Sequence, residues 1–261
     1  MEILIVTALL KEQMAFIDQP SQIVETEMLY QSPIFKIEVQ NKYAETPYDV
    51  KIMNFGNIGN VEAAIRTTQA MLHFNPDFVI LSGICGGFKI KSSINLGDII
   101  IPEEIIYYEY GKIENKKINR RYQKIRIDST IIEKIKEFIV NDLKKIDIDH
   151  AFPKIHFNPI ASGEKVVADE TFQSELKKDI NRLIGIEMEG YGTGKAVIQS
   201  GKLSNFFVVK SIADWADNNK NDDWHDYASK ISAEFILFMI KNINLIQIKE
   251  EASTLPKQIL Q

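Results

Sequence analysis

The chain carries one cysteine, Cys85, which excludes an intrachain disulfide and a cysteine-built metal cluster. Its four histidines, His73, His150, His156 and His225, show no HxxxH or related ligand spacing, so no structural metal is expected. No apolar run approaches the ~20 residues of a membrane span. The amino-terminal MEILIVTALLKEQ lacks a basic leader and reads as a first buried strand rather than a signal peptide. Positive charge is also scarce: 31 Lys and Arg face 36 Asp and Glu, a net of −5. That balance argues against a surface devoted to nucleic-acid phosphates or anionic lipid. Neither nucleic acid nor membrane is expected as a partner, although a local basic pocket is compatible with it. The lone thiol suggests a reducing, cytoplasmic setting.

What is present suits a globular protein: 45% hydrophobic and 26% charged residues over 261 positions supply apolar surface for a real core. Apolar runs of strand length alternate with segments of helical period, predicting an α/β fold with a sheet between helices. Strands are expected at 3–7, 34–39, 50–54, 78–82, 98–102, 155–162 and 206–212, each rich in Ile, Val or Phe. Helices are expected at 61–74, 129–145, 171–179, 188–199 and 224–243, the last with Asp223 as its N-cap. There is no internal repeat or composition break. The economical reading is one domain, 1–247, followed by a poorly ordered tail, 248–261.

Four segments carry candidate chemistry. GNIGNVEAA (56–64) passes from strand to helix, with glycines that allow close backbone approach and a helix amino terminus that offers N–H groups to an anion. A plain tight turn accounts for the same letters. SGICGG (82–87) directly follows a buried strand, where an open α/β sheet binds ligands. In IGIEMEGYGTGKA (184–196), Glu187 and Glu189 flank Met188 at a strand-to-helix junction. In extended chain these two carboxylates share a face, an arrangement suited to the two hydroxyls of a ribose. An acidic, solvent-facing helix start is the plainer alternative. FFVVKSIADWAD (206–217) is an apolar strand that runs out into Asp214 and Asp217, at the carboxyl end where catalytic groups sit. A carboxyl beside Trp215 and near other acids is expected to titrate high and to donate a proton near neutral pH. A helix-capping aspartate is the competing reading.

In this order, and together with TALLKEQ near the start, FNPDFVILSGICGG, LGDIIIPEEIIYYEYGK (96–112) and IASGEKVV (160–167), these segments resemble the nucleoside phosphorylase and nucleosidase superfamily, methylthioadenosine and S-adenosylhomocysteine nucleosidases above all. The resemblance runs from Ile3 to about Leu245. It implies a single-domain, three-layer αβα fold with a mixed central sheet, and cleavage of a purine N-glycosidic bond through a ribosyl cation. By the same resemblance Asp214 protonates or hydrogen-bonds N7 of the base and Glu12 holds and deprotonates the attacking water. Glu189 binds the ribose hydroxyls, Met188 packs beneath the sugar, Glu187 supports the site, and the backbone at Val166 and Val167 reads the adenine edge. No metal or redox cofactor is implied. The arginines that true phosphorylases place before the glycine turn and near the first strand are absent here, with Leu81 and TALLKEQ in those places, so water is the expected acceptor. Ile84 departs from the small serine of housekeeping nucleosidases.

ADWADNNKNDDWHDYAS, with Lys220 to Trp224 at its centre, is similar to a branch whose domains act as immune effectors and degrade adenine nucleotides. The resemblance therefore implies an ATP-like substrate for an antiphage effector. Alternatives are a nucleosidase for methylthioadenosine, S-adenosylhomocysteine or adenosine, and a non-catalytic nucleotide-sensing module. Candidates for the 5′-phosphate side are Gly56, Gly86, Lys165, Lys220, Arg120 and Arg121, with Lys112 and Lys210 further cations in reach of the same idea. Each lysine taken singly reads equally as solvated surface, and Arg120 and Arg121 as part of a polar loop. Family members usually form homo-oligomers, so one is expected here. A regulatory partner protein would carry any sensor, since little chain follows the last helix.

Overall fold

The computed structural model describes residues 1–17, 23–30, 32–89, 94–143, 153–201, 205–218 and 220–254. The buried strand β1 (Glu2–Thr7) forms where the sequence predicts one, but TALLKEQ does not continue it. The chain instead turns into a short helix, α1 (Leu10–Ile17), which carries Glu12 in its first turn. Next come three strands, β2 (Ile23–Leu29), β3 (Ser32–Val39) and β4 (Tyr48–Asn54), paired antiparallel in succession. The helix α2 (Asn60–Phe74) then crosses over to the ten-residue β5 (Phe78–Gly87). Strand β1 lies between β4 and β5, parallel to both, and β14 (Phe206–Asp214) lies parallel to β5 on its other side. Parallel strands buried on both faces read as continuous apolar runs, which is why the sequence shows them clearly.

SGICGG is not a turn but the second half of β5. Small residues are needed there because β13 (Gly185–Glu187) approaches antiparallel, pairing Gly185 with Gly87 and Ile186 with Gly86. Beyond β13 the same sheet continues through β12 (Ile160–Ser162), β7 (Glu104–Tyr107) and β10 (Gln123–Arg126). Of these, β7, β10 and β13, of three or four residues, are too short for periodicity to detect. The expected strand 155–162 is two pieces, β11 (Ile155–His156) and β12, separated at Pro159, which has no N–H for a ladder. Of the expected 98–102, only β6 (Ile99–Ile100) is paired, joining β14 and β11. An exposed hairpin, β8 (Gly111–Glu114) with β9 (Lys117–Arg120), stands apart.

Helices flank the sheet: α2 packs against α5 (Gly190–Gln199), and α1 against α6 (His225–Asn242). Asp128 caps α3 (Ser129–Phe138), and Asp169 caps α4 (Glu170–Asp179) through the N–H groups of Thr171 and Phe172. Beyond a π-helical turn (Ile139–Leu143), the rest of the helix expected to 145 lies outside the described residues. Asp223 does not cap α6, which starts after Trp224 without a side-chain cap. The tail expected from 248 begins inside a further helix, α7 (Leu245–Thr254), whose Ile248 is buried in the core; residues 255–261 lie outside the described set. No single helix among the described residues is long and apolar enough to cross a membrane.

Candidate active site

A cavity of about 370 Å³ lies over the ends of β5 and β14, where the sequence places its candidate chemistry. Glu12, Gly86, Lys165, Val166, Val167, Glu187, Met188, Glu189, Asp214 and Lys220 all line it, together with Leu9, Ile84, Asp222 and His225. A larger cleft of about 650 Å³, bordered by Glu104, Arg126 and Lys136, contains none of the candidate residues. We place the site in the smaller cavity because convergent buried carboxylates, not volume, mark chemistry.

The floor is built on one lysine. Lys210, midway along the fully buried β14, places its ammonium 3.0 Å from Glu189 Oε2 and 3.7 Å from Glu187 Oε2. Burial opposes its charge, but Glu189, Glu187 and Glu12 outweigh that and hold Lys210 above the usual lysine range. Lys210 therefore cannot serve as a surface clamp for phosphate; it is the countercharge of the floor. Its signal was in the sequence, as a lone cation inside an apolar strand, FFVVKSIAD, where a buried charge requires a partner.

Glu12 is locked by backbone. Its Oε2 accepts the N–H groups of Ala8 at 2.9 Å and Leu9 at 2.8 Å, and its Oε1 accepts that of Ile84 at 2.9 Å. A side chain on Gly83 would meet Glu12 Oε1 at 2.3 Å, so only glycine fits beneath it, and Gly83 has φ +153°. Burial pushes the Glu12 carboxyl above its ordinary value, and Glu189 adds to this, against the pull of Lys210 and the N–H donors.

Glu187 and Glu189 do not share one extended face, because the strand ends at Glu187 and the chain turns into α5. Glu187 Oε2 folds back to accept the N–H groups of Glu189 at 3.0 Å and Gly190 at 2.7 Å, fixing the helix start. Burial raises its carboxyl. Glu189 extends instead to Lys210 and to the N–H of Gly59 at 3.3 Å. The amino end of α2 thus holds the protein's own acids, since the Asn60 N–H donates to Glu164 Oε2 at 3.1 Å. Gly56, expected to approach an anion here, lies outside the cavity lining. Asn60 itself, which the sequence reading missed, knits the site together. Its side chain accepts from Ser162 Oγ at 3.0 Å and the Gly192 N–H at 2.7 Å, and donates to the Gly163 carbonyl at 3.0 Å.

Asp214 closes β14. The acids expected around it are not its nearest partners. Oδ1 accepts the Ala216 N–H at 2.7 Å, Oδ2 pairs with the Lys220 ammonium, and His225 Nε2 lies 3.8 Å from Oδ2. The turn that follows is held in an unusual shape. Ala216 adopts φ +50°, and Gln173 Nε2 donates to the carbonyls of Trp215 at 2.8 Å and Ala216 at 2.6 Å. Val167 is buried and Val166 exposed at the opposite margin, where Lys165 pairs with Glu109. Arg120 and Arg121 are not part of the lining: Arg120 pairs with Glu175 and stacks on Phe172, and Lys112 pairs with Glu114 on the outer hairpin. The sequence reading missed His225 and Lys11, because nothing in the local sequence brings two surface-type residues from α1 and α6 together.

A small cavity holding buried carboxylates at the carboxyl ends of a mixed sheet defines an enzyme that handles a small molecule by acid–base chemistry. More particularly, the chain belongs to the phosphorylase superfamily, whose family model matches residues 2–244. It is 28% identical over 195 residues to a 5′-methylthioadenosine/S-adenosylhomocysteine nucleosidase of Geobacillus kaustophilus, covering 70% of this chain and 76% of the relative. It is 25% identical over 202 residues to the ATP nucleosidase Cap17 of Escherichia coli, covering 70% of this chain but only 39% of that longer protein. Among solved structures, the 5′-methylthioadenosine/S-adenosylhomocysteine nucleosidase of S. pneumoniae superposes with a TM-score of 0.74 at 20% identity, over 92% of this chain and 99% of that one. Futalosine hydrolase of Helicobacter pylori gives 0.72 at 18%, over 91% and 96%. At those identities the likeness speaks for the fold.

Proposed function

We propose that this protein hydrolyses the N-glycosidic bond of an adenine nucleotide and releases adenine. The coarser part of this reading, a hydrolase of purine N-glycosidic bonds, rests on the superfamily and its nucleosidase members. The observation that carries the chemistry is that Glu12 and Asp214, both buried, line one cavity together with Glu187 and Glu189, the partners of Lys210. Asp214, carrying a proton, donates it to N7 as the glycosidic bond breaks, so that adenine leaves as the neutral base. Glu12 takes the proton of the attacking water; a carboxyl raised by burial is a better base near neutral pH than a free one. Glu189 receives the ribose hydroxyls, with Met188 beneath the sugar. Glu187 acts through the backbone it holds, as a positioning residue. Lys220 occupies Asp214 Oδ2 until the base arrives, so binding must exchange that ion pair for the N7 contact.

Water rather than phosphate is the acceptor, because no arginine among the described residues lines the cavity. Support for a nucleotide comes from the basic side chains of Lys220 and His225 in the lining and from the Cap17 relative. The effector role, with a restraining partner, rests on the sequence resemblance of the Lys220 to Trp224 segment alone. A second reading, a nucleosidase for methylthioadenosine or S-adenosylhomocysteine, is favoured by the apolar Leu9, Ile58 and Ile84 in the lining. Chromatography of free adenine after incubation with ATP, dATP, AMP, adenosine and methylthioadenosine, with and without phosphate, separates the two. Release from ATP without need of phosphate supports the nucleotide reading; release from methylthioadenosine alone overturns it.

A further inference from the structure

Beside the cavity, the lining residue His225 makes a contact that crosses two helices. Lys11 Nζ, from α1, lies 3.1 Å from Nδ1 of His225, the first residue of α6. An ammonium only donates, so Nδ1 accepts and the ring proton sits on Nε2, which is buried without a hydrogen-bond partner although Asp222 Oδ1 lies at 3.1 Å and Asp214 Oδ2 at 3.8 Å. Two cation-forming groups are thereby pressed together across two elements. The acids nearby answer them poorly: Asp222 and Asp226 are 76% and 95% exposed, Lys11 reaches Asp226 only at 3.9 Å, and Asp214 is shared with Lys220. Burial and the Lys11 and Lys220 charges hold the His225 ring below the usual histidine range, so it accepts a proton once an anion arrives. The other cations weighed here are committed elsewhere: Lys165 to Glu109, Arg120 to Glu175 and Lys210 to the floor.

We infer that Lys11 and His225 form the subsite for the 5′-phosphate of the substrate. This rests on the nucleotide reading above and names the residues that read the nucleotide. In an anti purine nucleotide the 5′ substituent lies on the side of the base that carries C8 and N7. A phosphate therefore emerges beside the group that meets N7, and His225 is that neighbour of Asp214. The uncapped amino end of α6 adds the positive end of a helix dipole at the same place. With phosphate bound, its oxygens take a charge-assisted bond from Lys11 and another from protonated His225, and the cation pair gains the countercharge it lacks.

The test compares the wild type with Lys11→Met and His225→Gln, using ATP, AMP and adenosine as substrates and calorimetric binding of inorganic tripolyphosphate as a readout independent of turnover. The expected result is a fall of ~10-fold or more in the ratio of kcat/KM for ATP to that for adenosine in each variant, the loss of one charge-assisted bond. Lys11→Arg should restore the ratio. A wild type that cleaves ATP, with the ratio unmoved in both variants, overturns the subsite while the nucleotide reading stands. A wild type that cleaves nucleosides only overturns the nucleotide reading. In that case tripolyphosphate binding that both variants lose supports an anion subsite at these residues, and its absence from the wild type overturns the subsite too.

Discussion

The floor and the rim of the cavity are built on different principles. The floor, Glu12, Glu187, Glu189 and Lys210, is buried on β14, at the end of β13 and at two helix starts, and its carboxylates are held by backbone N–H groups and one lysine. The rim, Lys11, Lys220, Asp222 and His225, comes from α1, the segment before α6 and the first residue of α6, and its pairs face solvent. Burial makes the floor costly to alter, because a charge stranded there has no water to turn to. The rim pairs are weakly held and can be exchanged for a ligand's charges. Under the proposed function, reaction type is thus fixed below and substrate choice is adjustable above.

The contrast is most sharply tested by the two proposed catalytic acids. Asp214→Asn and Glu12→Gln are each predicted to lower adenine release by ~10²–10⁴-fold, the range of a lost general acid or base, with circular dichroism unchanged. Near wild-type turnover in a folded variant would falsify the role assigned to that residue. Next in size, Lys210→Met leaves the buried floor acids without their cation and is predicted to destabilise the fold by about 3–5 kcal/mol in urea unfolding at neutral pH. A change under about 1 kcal/mol would mean that these acids are already neutral in the folded protein.

The pH dependence sharpens the same point. Glu12 has its folded value raised above 4.5, so its contribution to stability is complete below about 4.5 and is lost as pH rises through that raised value. Glu12→Gln should flatten this fall in a stability-versus-pH series; an unchanged slope would assign it to Glu187, which burial raises in the same direction. Because Lys210 lowers Glu12, Lys210→Met should also move the acid limb of kcat/KM to higher pH. Smallest of all, Arg120→Ala removes an outlying ion pair and is predicted to change stability by at most about 1 kcal/mol. An effect on the nucleotide-to-nucleoside ratio as large as that of Lys11→Met would bring the β9 hairpin into the site.

Legibility followed the physics of each element. Long strands buried on both faces, β1, β4, β5 and β14, announce themselves as apolar runs. The half of the sheet made by β7, β10 and β13 does not, since strands of three or four residues carry no period, and β12 shows only as the end of one longer expected strand, 155–162. The acidic residues of the site were visible because carboxylates in apolar surroundings call for a reason. Their partners were not, because Asn60, Gln173, Lys11 and His225 are ordinary polar residues until the fold brings them together.

The sequence by itself determined the α/β class, since apolar period is a local property, and its motifs carried, by resemblance, the superfamily and the acid Glu12. Only the tertiary structure decided what each acid touches. It turned Lys210 from a phosphate candidate into the centre of the floor, and closed the amino end of α2 with Glu189 and Glu164. It also set Lys11 against His225 across 214 positions of chain. Such contacts depend on how helices and strand ends converge over a shared sheet, and no window of neighbouring residues contains that information.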